Sequence, residues 1–316
     1  MTGEIFTIEA PGGRRLEVLT AGPREGRPLF LHNGTPGGLR VHGPMADAAA
    51  GRGLRTVMCA RPGYGRSDPR PGRRVADVVD DVTVVLEAVG GEHFVTAGWS
   101  GGGPHALACA AGLPGRCLAA ASLAGVAPYR ADGLDWLAGM GPENLEEFAA
   151  AAKGAQALTP FLESQAGELA TIEGQQVAEG LGGLISGADR AVLTGGFADY
   201  LAGSFRSAVS TGIAGWRDDD LAFVADWGFS LADAGAGAPV AIWQGDQDRM
   251  VPWAHGEWLA ARVPGARSHM LPGEGHLTLA VTVIGQILDE LLQLAGWAEV
   301  PPRHGTSPAS PTAPRG

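Results

Sequence analysis

The sequence predicts an α/β fold, a mostly parallel sheet with helices on both faces, and three observations carry that prediction. Short apolar runs without polar alternation, as at residues 28–32 and 239–244, have the pattern of strands buried on both faces. Segments with helical spacing separate them, so successive strands are joined by right-handed crossovers. The runs then stop in glycine-rich loops that no regular element accommodates.

Residues 4–9 alternate apolar and polar side chains, and residues 15–20 do the same after Pro11-Gly12-Gly13, which predicts an antiparallel hairpin. The run 28–32 is the first buried strand and ends in the loop Asn33-Gly34-Thr35-Pro36-Gly37-Gly38. A helix over 39–52 leads to a strand at 54–59 and the loop 61–68. Val75, Val78, Val79, Val82, Val85, Leu86 and Val89 recur with helical period and predict a helix over 75–89. The strand that follows stops at Gly98, a helix runs from just beyond Gly102 to Leu113, and residues 118–126 form another strand. Residues 128–238 lack strand-like runs, so they read as an inserted helical segment between two parts of one core, 1–127 and 239–297. The sheet resumes at 239–244, a helix runs to about Val263, a last strand spans 267–271, and an amphipathic helix over 277–295 closes the chain. Residues 298–316, rich in Pro, Ser and Thr, predict a disordered tail.

Composition excludes several functions. A net charge of -11 disfavours nucleic-acid and anionic-membrane partners, which require a basic face, and leaves a small-molecule substrate as the expected partner of a monomer or homodimer. The single lysine, Lys153, rules out a phosphate-binding loop of the G-x-x-x-x-G-K-[ST] type. No apolar run approaches membrane-span length and no secretory leader pattern opens the chain, so the expected location is cytoplasmic. Cys59, Cys109 and Cys117 have neither zinc-ligand nor disulfide-framework spacing and read as free thiols. No His, Asp or Glu grouping has metal-ligand spacing, and no cofactor is expected.

The chemistry centres on Gly98-Trp99-Ser100-Gly101-Gly102, a G-x-S-x-G pentapeptide between a strand and a helix. Such a turn holds its serine in a strained conformation and lifts the hydroxyl clear of the sheet, beside the unpaired N–H groups of the helix start. A serine hydroxyl needs a base, and the base needs an acid to fix its tautomer. Ser100, Asp248 and His276 each follow a predicted strand, and the carboxyl ends of parallel strands share one edge. Asp246, or less readily Asp132, is the alternative acid, and His276 as an ordinary surface histidine is the bland alternative.

With those motifs in view, together with Arg61-Pro62-Gly63-Tyr64-Gly65-Arg66-Ser67, Gly245-Asp246-Gln247-Asp248 and Gly275-His276, the chain resembles the α/β-hydrolase superfamily from Glu4 to about Trp297. The resemblance implies an eight-stranded sheet with a helical cap inserted after the sixth strand. It is nearest the capped branch that includes proline iminopeptidases, epoxide hydrolases, haloalkane dehalogenases and small esterases. In that branch epoxide hydrolases and dehalogenases carry an aspartate nucleophile, so Ser100 points to acyl transfer. The resemblance implies an oxyanion hole from the Gly101 N–H and one donor in the 33–36 loop, Thr35 first and Gly34 second; Pro36 has no N–H to give. Asn33 stands where the family has histidine, so either His32 or the Asn33 amide would brace the loop. Ala60 stands where many relatives have an acid, which removes an expected salt-bridge partner.

The expected activity is therefore serine hydrolysis of a small carboxylic ester. A proline iminopeptidase-like aminopeptidase and a ligand-binding protein with little turnover are the alternatives. Trp99, with Trp136, Trp216 and Trp227 of the insertion, are candidates to line the pocket, although at least two of the last three are expected in the core of the insertion. Asp218-Asp219-Asp220 reads as a helix N-cap region, because acids favour that end of the dipole, or less readily as a site for a substrate amine.

Overall fold

A computed structural model describes residues 3–297; the tail at 298–316 lies outside the described residues. Eight strands form one sheet in the order β1-β2-β4-β3-β5-β6-β7-β8: β1 Glu4–Ala10, β2 Arg14–Ala21, β3 Arg27–His32, β4 Leu54–Cys59, β5 Phe94–Trp99, β6 Cys117–Leu123, β7 Val240–Gly245 and β8 Arg267–Leu271. β1 and β2 pair antiparallel, as the hairpin pattern predicted; β2 is antiparallel to β4 as well, and all other pairings are parallel. The carboxyl ends of β3 to β8 consequently share one edge, where their loops gather. β5 lies mid-sheet, and Phe94 to Gly98 are all buried.

Around this sheet lie α1 Gly43–Ala50, α2 Val78–Val89 and α3 Gly103–Gly112, and after the insertion α11 Trp253–Arg262, α12 Leu279–Thr282 and α13 Ile284–Leu294. α1 is shorter than the expected 39–52 because Pro44, lacking an N–H, fixes the first turn. A 3-10 turn at Val75–Asp77 opens the helix expected at 75–89. The closing helix is broken at Val283, whose backbone (φ -116°, ψ 4°) is not helical. α3 is nearly all buried beneath the Ser100 turn.

Between β6 and β7 come α4 Pro142–Ala151, α5 Ala155–Leu169, α6 Val177–Gly180, α7 Gly187–Val192, α8 Gly195–Val209, α9 Ala214–Val224 and α10 Leu231–Gly237. α10 packs on α3 beside the sheet, so the stretch 128–238 does not lie wholly over the strand ends. A Cβ at Gly237 would stand 2.0 Å from the Ala110 carbonyl, a closeness only glycine permits. The insertion has an apolar cluster of its own, including Ile172, Val177, Phe197 and Leu201, and that cluster takes in Leu277 from the loop after β8. Cys109 and Cys117 are buried and unpaired. Among the described residues no helix is long and apolar enough to cross a membrane.

Candidate active site

Ser100 has φ +57°, a left-handed conformation that costs a non-glycine residue about 1–3 kcal/mol and that the surrounding turn must enforce. The pentapeptide glycines make that turn sterically feasible. A Cβ at Gly98 would sit 1.9 Å from the Gly102 carbonyl, and one at Gly102 would sit 2.2 Å from the His32 carbonyl. The turn is thus pressed against the end of β3. A Cβ on Gly101 would lie 2.5 Å from Thr35 Oγ1, and one on Gly34 would lie 3.3 Å from Ser100 Cβ. Thr35, Gly34 and Gly101 therefore flank Ser100, as an oxyanion hole requires.

His276 Nδ1 lies 2.8 Å from Asp248 Oδ2, and both side chains are buried. The carboxylate fixes Nδ1 as the protonated nitrogen and leaves Nε2 free to act as a base. Asp248 is itself held by the N–H groups of Met250 and Val251 and by the Gln244 amide, so its position after β7 is fixed by four donors. Burial pulls the His276 imidazole down, but Asp248, and Asp189 from farther off, outweigh it and hold it above its ordinary value. The rival acids lie elsewhere: Asp246 accepts the Gly273 N–H, and Asp132 is exposed.

The loop that carries Gly34 and Thr35 is braced by groups that sequence reasoning did not assign. Arg61 donates to the carbonyls of Asn33 (2.7 Å) and Gly34 (3.0 Å) and to Thr35 Oγ1 (2.9 Å). Its counter-ion is Asp219, at 2.6 Å, which also pairs with Arg73 at 2.6 Å and accepts from Tyr64 Oη and Thr35 Oγ1. Asp219 thus supplies from α9 the acid that Ala60 lacks, across 158 residues of sequence. This corrects the N-cap reading of 218–220, since all three acids are buried in the body of α9. Burial alone would raise the Asp219 carboxyl; Arg61 and Arg73 outweigh it and hold it well below the usual carboxylate range. The alternative left open for the loop is resolved toward Asn33, whose amide donates to the Gly38 carbonyl at 3.0 Å. His32 is buried beside Cys109, and burial keeps it neutral. His105 is pushed by burial down to about 3, so its neutral ring donates from Nδ1 to the Gly101 carbonyl at 2.8 Å.

Ser100, His276, Gly34, Thr35, Gly101 and Trp99 open onto one cavity of about 140 Å³ under the inserted helices. Phe148, Phe161, Leu181, Leu184, Phe205 and Phe223 make it mainly apolar, while Glu147 and Asp220 give it one acidic wall. Glu147 and Asp220 are buried beside each other, and burial together with their mutual repulsion raises Asp220 well above a normal carboxyl. Neither Asp220 oxygen meets a donor, so burial beside Glu147 favours a carboxyl that keeps its proton. Of the candidate tryptophans, Trp99 and Trp216 line the cavity, and Trp216 donates to Glu147 at 2.6 Å. Trp136 and Trp227 do not; their indole N–H groups donate to the buried carbonyls of Ala127 and Phe223. Among the described residues no three His, Cys, Asp or Glu side chains are grouped to hold a metal ion.

A strained serine at a strand-helix turn, with a histidine–aspartate pair on the same strand edge, is the layout of a nucleophile-elbow enzyme fold. A sequence model of the alpha/beta hydrolase fold matches residues 27–281, and the chain belongs to that family. No curated protein matches it in sequence. Similar solved structures include a carboxylesterase from Nitrososphaera gargenis (18% identity, 92% of this chain and 99% of that one, TM-score 0.66). An esterase from Rhodococcus sp. ECU1013 has 18% identity over 92% and 98% of the two chains (TM-score 0.64). An enol-lactonase from Burkholderia xenovorans LB400 has 18% identity over 91% and 100% (TM-score 0.62). At such identities the likeness establishes the fold alone.

Proposed function

We propose that this protein is a cofactor-free serine hydrolase that cleaves a small, largely apolar carboxylic ester through an acyl-enzyme on Ser100. The observation that carries the reading is the buried His276–Asp248 pair, at 2.8 Å, opening onto the same cavity as the strained Ser100. His276 Nε2 takes the hydroxyl proton as Ser100 Oγ bonds to the carbonyl carbon, and the N–H groups of Thr35 and Gly101 receive the oxyanion. As the tetrahedral adduct collapses, the carbon–oxygen bond to the leaving alcohol breaks and His276 returns the proton to that oxygen. Water then attacks the acyl group with His276 again as base, releasing the acid and restoring Ser100. The inserted helices act as a cap over the site, and their apolar side chains suit an uncharged acyl or alcohol group.

A second reading, an aminopeptidase-like hydrolase, is favoured by one observation, the Glu147–Asp220 wall. A substrate ammonium could take the place of the proton kept there: the wall then holds two carboxylates, and the ammonium restores the summed charge of the site. A panel of nitrophenyl acyl esters and aminoacyl amides, run with wild type and Ser100→Ala, tests both. The first reading requires ester turnover that Ser100→Ala loses and Asp220→Asn keeps. Turnover confined to aminoacyl substrates and lost in Asp220→Asn selects the second, and full activity in Ser100→Ala overturns both.

A further inference from the structure

We infer that Asp189, on α7 of the inserted segment, is a positioning residue for His276: it holds the loop that carries the base and faces the imidazole with a second carboxylate. The inference rests on the reading of Ser100, Asp248 and His276 as a triad.

Asp189 is fully buried. Its Oδ1 accepts the N–H of Leu277 at 2.7 Å and of Thr278 at 3.3 Å, the two residues after His276. Its Oδ2 accepts the Ser186 hydroxyl at 2.9 Å and the Ser186 N–H at 3.3 Å. Every donor is neutral, and among the described residues no ion pair reaches this carboxylate. A buried charge met only by dipoles is costly to keep.

The loop is shaped to receive it. A Cβ at Gly275 would lie 2.4 Å from Asp189 Oδ1 and 2.5 Å from Cγ and Oδ2, so glycine lets the carboxylate come in beside the base. Thr278 Oγ1 accepts the Gly275 N–H at 2.7 Å and closes the turn, and the side chain of Leu277 is buried in the insertion's own cluster. The base is therefore tied on one side to the sheet through Asp248 and on the other to the insertion through Asp189.

A tie alone would need only an acceptor, which an amide supplies as well. The charge matters when His276 takes the serine proton, because the imidazolium then forms near a second carboxylate besides Asp248. The ionisable groups acting on the ring are Asp248 from the β7–α11 loop and Asp189 from α7; Glu143, Glu147 and Asp220 line the cavity onto which it opens. Asp189→Asn keeps an acceptor oxygen for Leu277 and removes the charge, whereas Asp189→Ala removes both.

The test is the titration of the His276 imidazole by NMR in the full chain, with kcat and KM on a short-chain nitrophenyl ester. In Asp189→Asn we expect His276 to titrate at lower pH and kcat to fall about tenfold with KM within about twofold, a pKa unit being a factor of ten. In Asp189→Ala the freed loop should bring the loss to about 100-fold. Unchanged titration and kcat in Asp189→Asn, or a loss confined to KM, overturns the inference. If Asp189→Ala does not fold, Gly275→Ala carries the second arm: its methyl must push the carboxylate away and lower the His276 titration, and no shift there overturns the inference. The NMR readout needs no turnover, so a wild-type chain inactive on every ester would defeat the hydrolase reading while leaving the Asp189 result to be judged separately.

Discussion

Asp219→Asn removes one charge with almost no change of shape, and its consequence can be worked out from the contacts. The carboxylate is fully buried, neutralises Arg61 and Arg73, and accepts from Tyr64 and Thr35. The amide would turn donors toward donors and leave two guanidiniums buried without an acid. Breaking a buried ion pair from one side costs about 3–5 kcal/mol. With an unfolding entropy of roughly 2.1 cal/mol/K per residue, near 0.6 kcal/mol/K for this chain, Tm should fall by about 5–8 °C. The chemistry should suffer as well, because Arg61 and Asp219 together hold the Thr35 loop. Loss of one oxyanion donor costs about 100- to 1000-fold in kcat, which bounds the effect from above. The adjacent Asp220→Asn is the comparator. Burial and Glu147 hold the Asp220 carboxyl well above its ordinary value and favour its neutral form, so a neutral amide should cost well under half as much. Calorimetry and ester kinetics on both variants make the check. A Tm drop under about 1 °C with kcat within twofold for Asp219→Asn, or equal losses in the two variants, would refute the reasoning.

Further outcomes follow from the same geometry. The imidazole of His276 is held above 6.5, so kcat/KM should rise with pH through an acid limb whose midpoint exceeds 6.5; a limb below 6 in a pH–rate profile contradicts this. Linkage gives the opposite sign for stability: the contribution of His276 is fully present below its unfolded value and is lost as pH rises through the folded one. Asp219, held low, contributes above about pH 3.8 and loses that as pH falls through its folded value, so urea melts across pH should show both limbs. Trp216→Phe should alter the ester preference by freeing Glu147 in the cavity wall, whereas Trp136→Phe should lower Tm and leave the preference unchanged. Gly98→Ala places a methyl 1.9 Å from the Gly102 carbonyl, so soluble, fully active protein would contradict the described turn.

The strand order of chemistry was legible because loop chemistry and strand pattern are local. Apolar runs ending in glycine marked the strand ends, and three of those ends brought Ser100, Asp248 and His276 to one edge. The loop 33–38 was legible for the same reason. The acids of α9 were not. Three consecutive aspartates look solvated, and only the packing of α9 against loops 150 residues away supplies the two arginines that make Asp219 worth burying. The spacing of Ser186 and Asp189 marks only a helix start, and the bonds from Asp189 to the Leu277 and Thr278 N–H groups leave no trace in side-chain spacing. The tryptophans divided according to where each indole N–H finds its partner, Trp136 and Trp227 at buried carbonyls away from the cavity and Trp216 at Glu147 in its wall, a tertiary fact. The boundary of the insertion blurred at α10, whose short Ala-Gly helix carries the same composition as its neighbours yet packs on α3.

The nucleophile itself is tested most directly by covalent trapping. A fluorophosphonate incubated with the full chain at neutral pH should add once, and peptide mapping should place the adduct on Ser100. Ser100→Ala should take up none, and His276→Ala should label far more slowly for want of a base. An adduct on another residue, or undiminished labelling of Ser100→Ala, would contradict the assignment of this turn as the reacting centre.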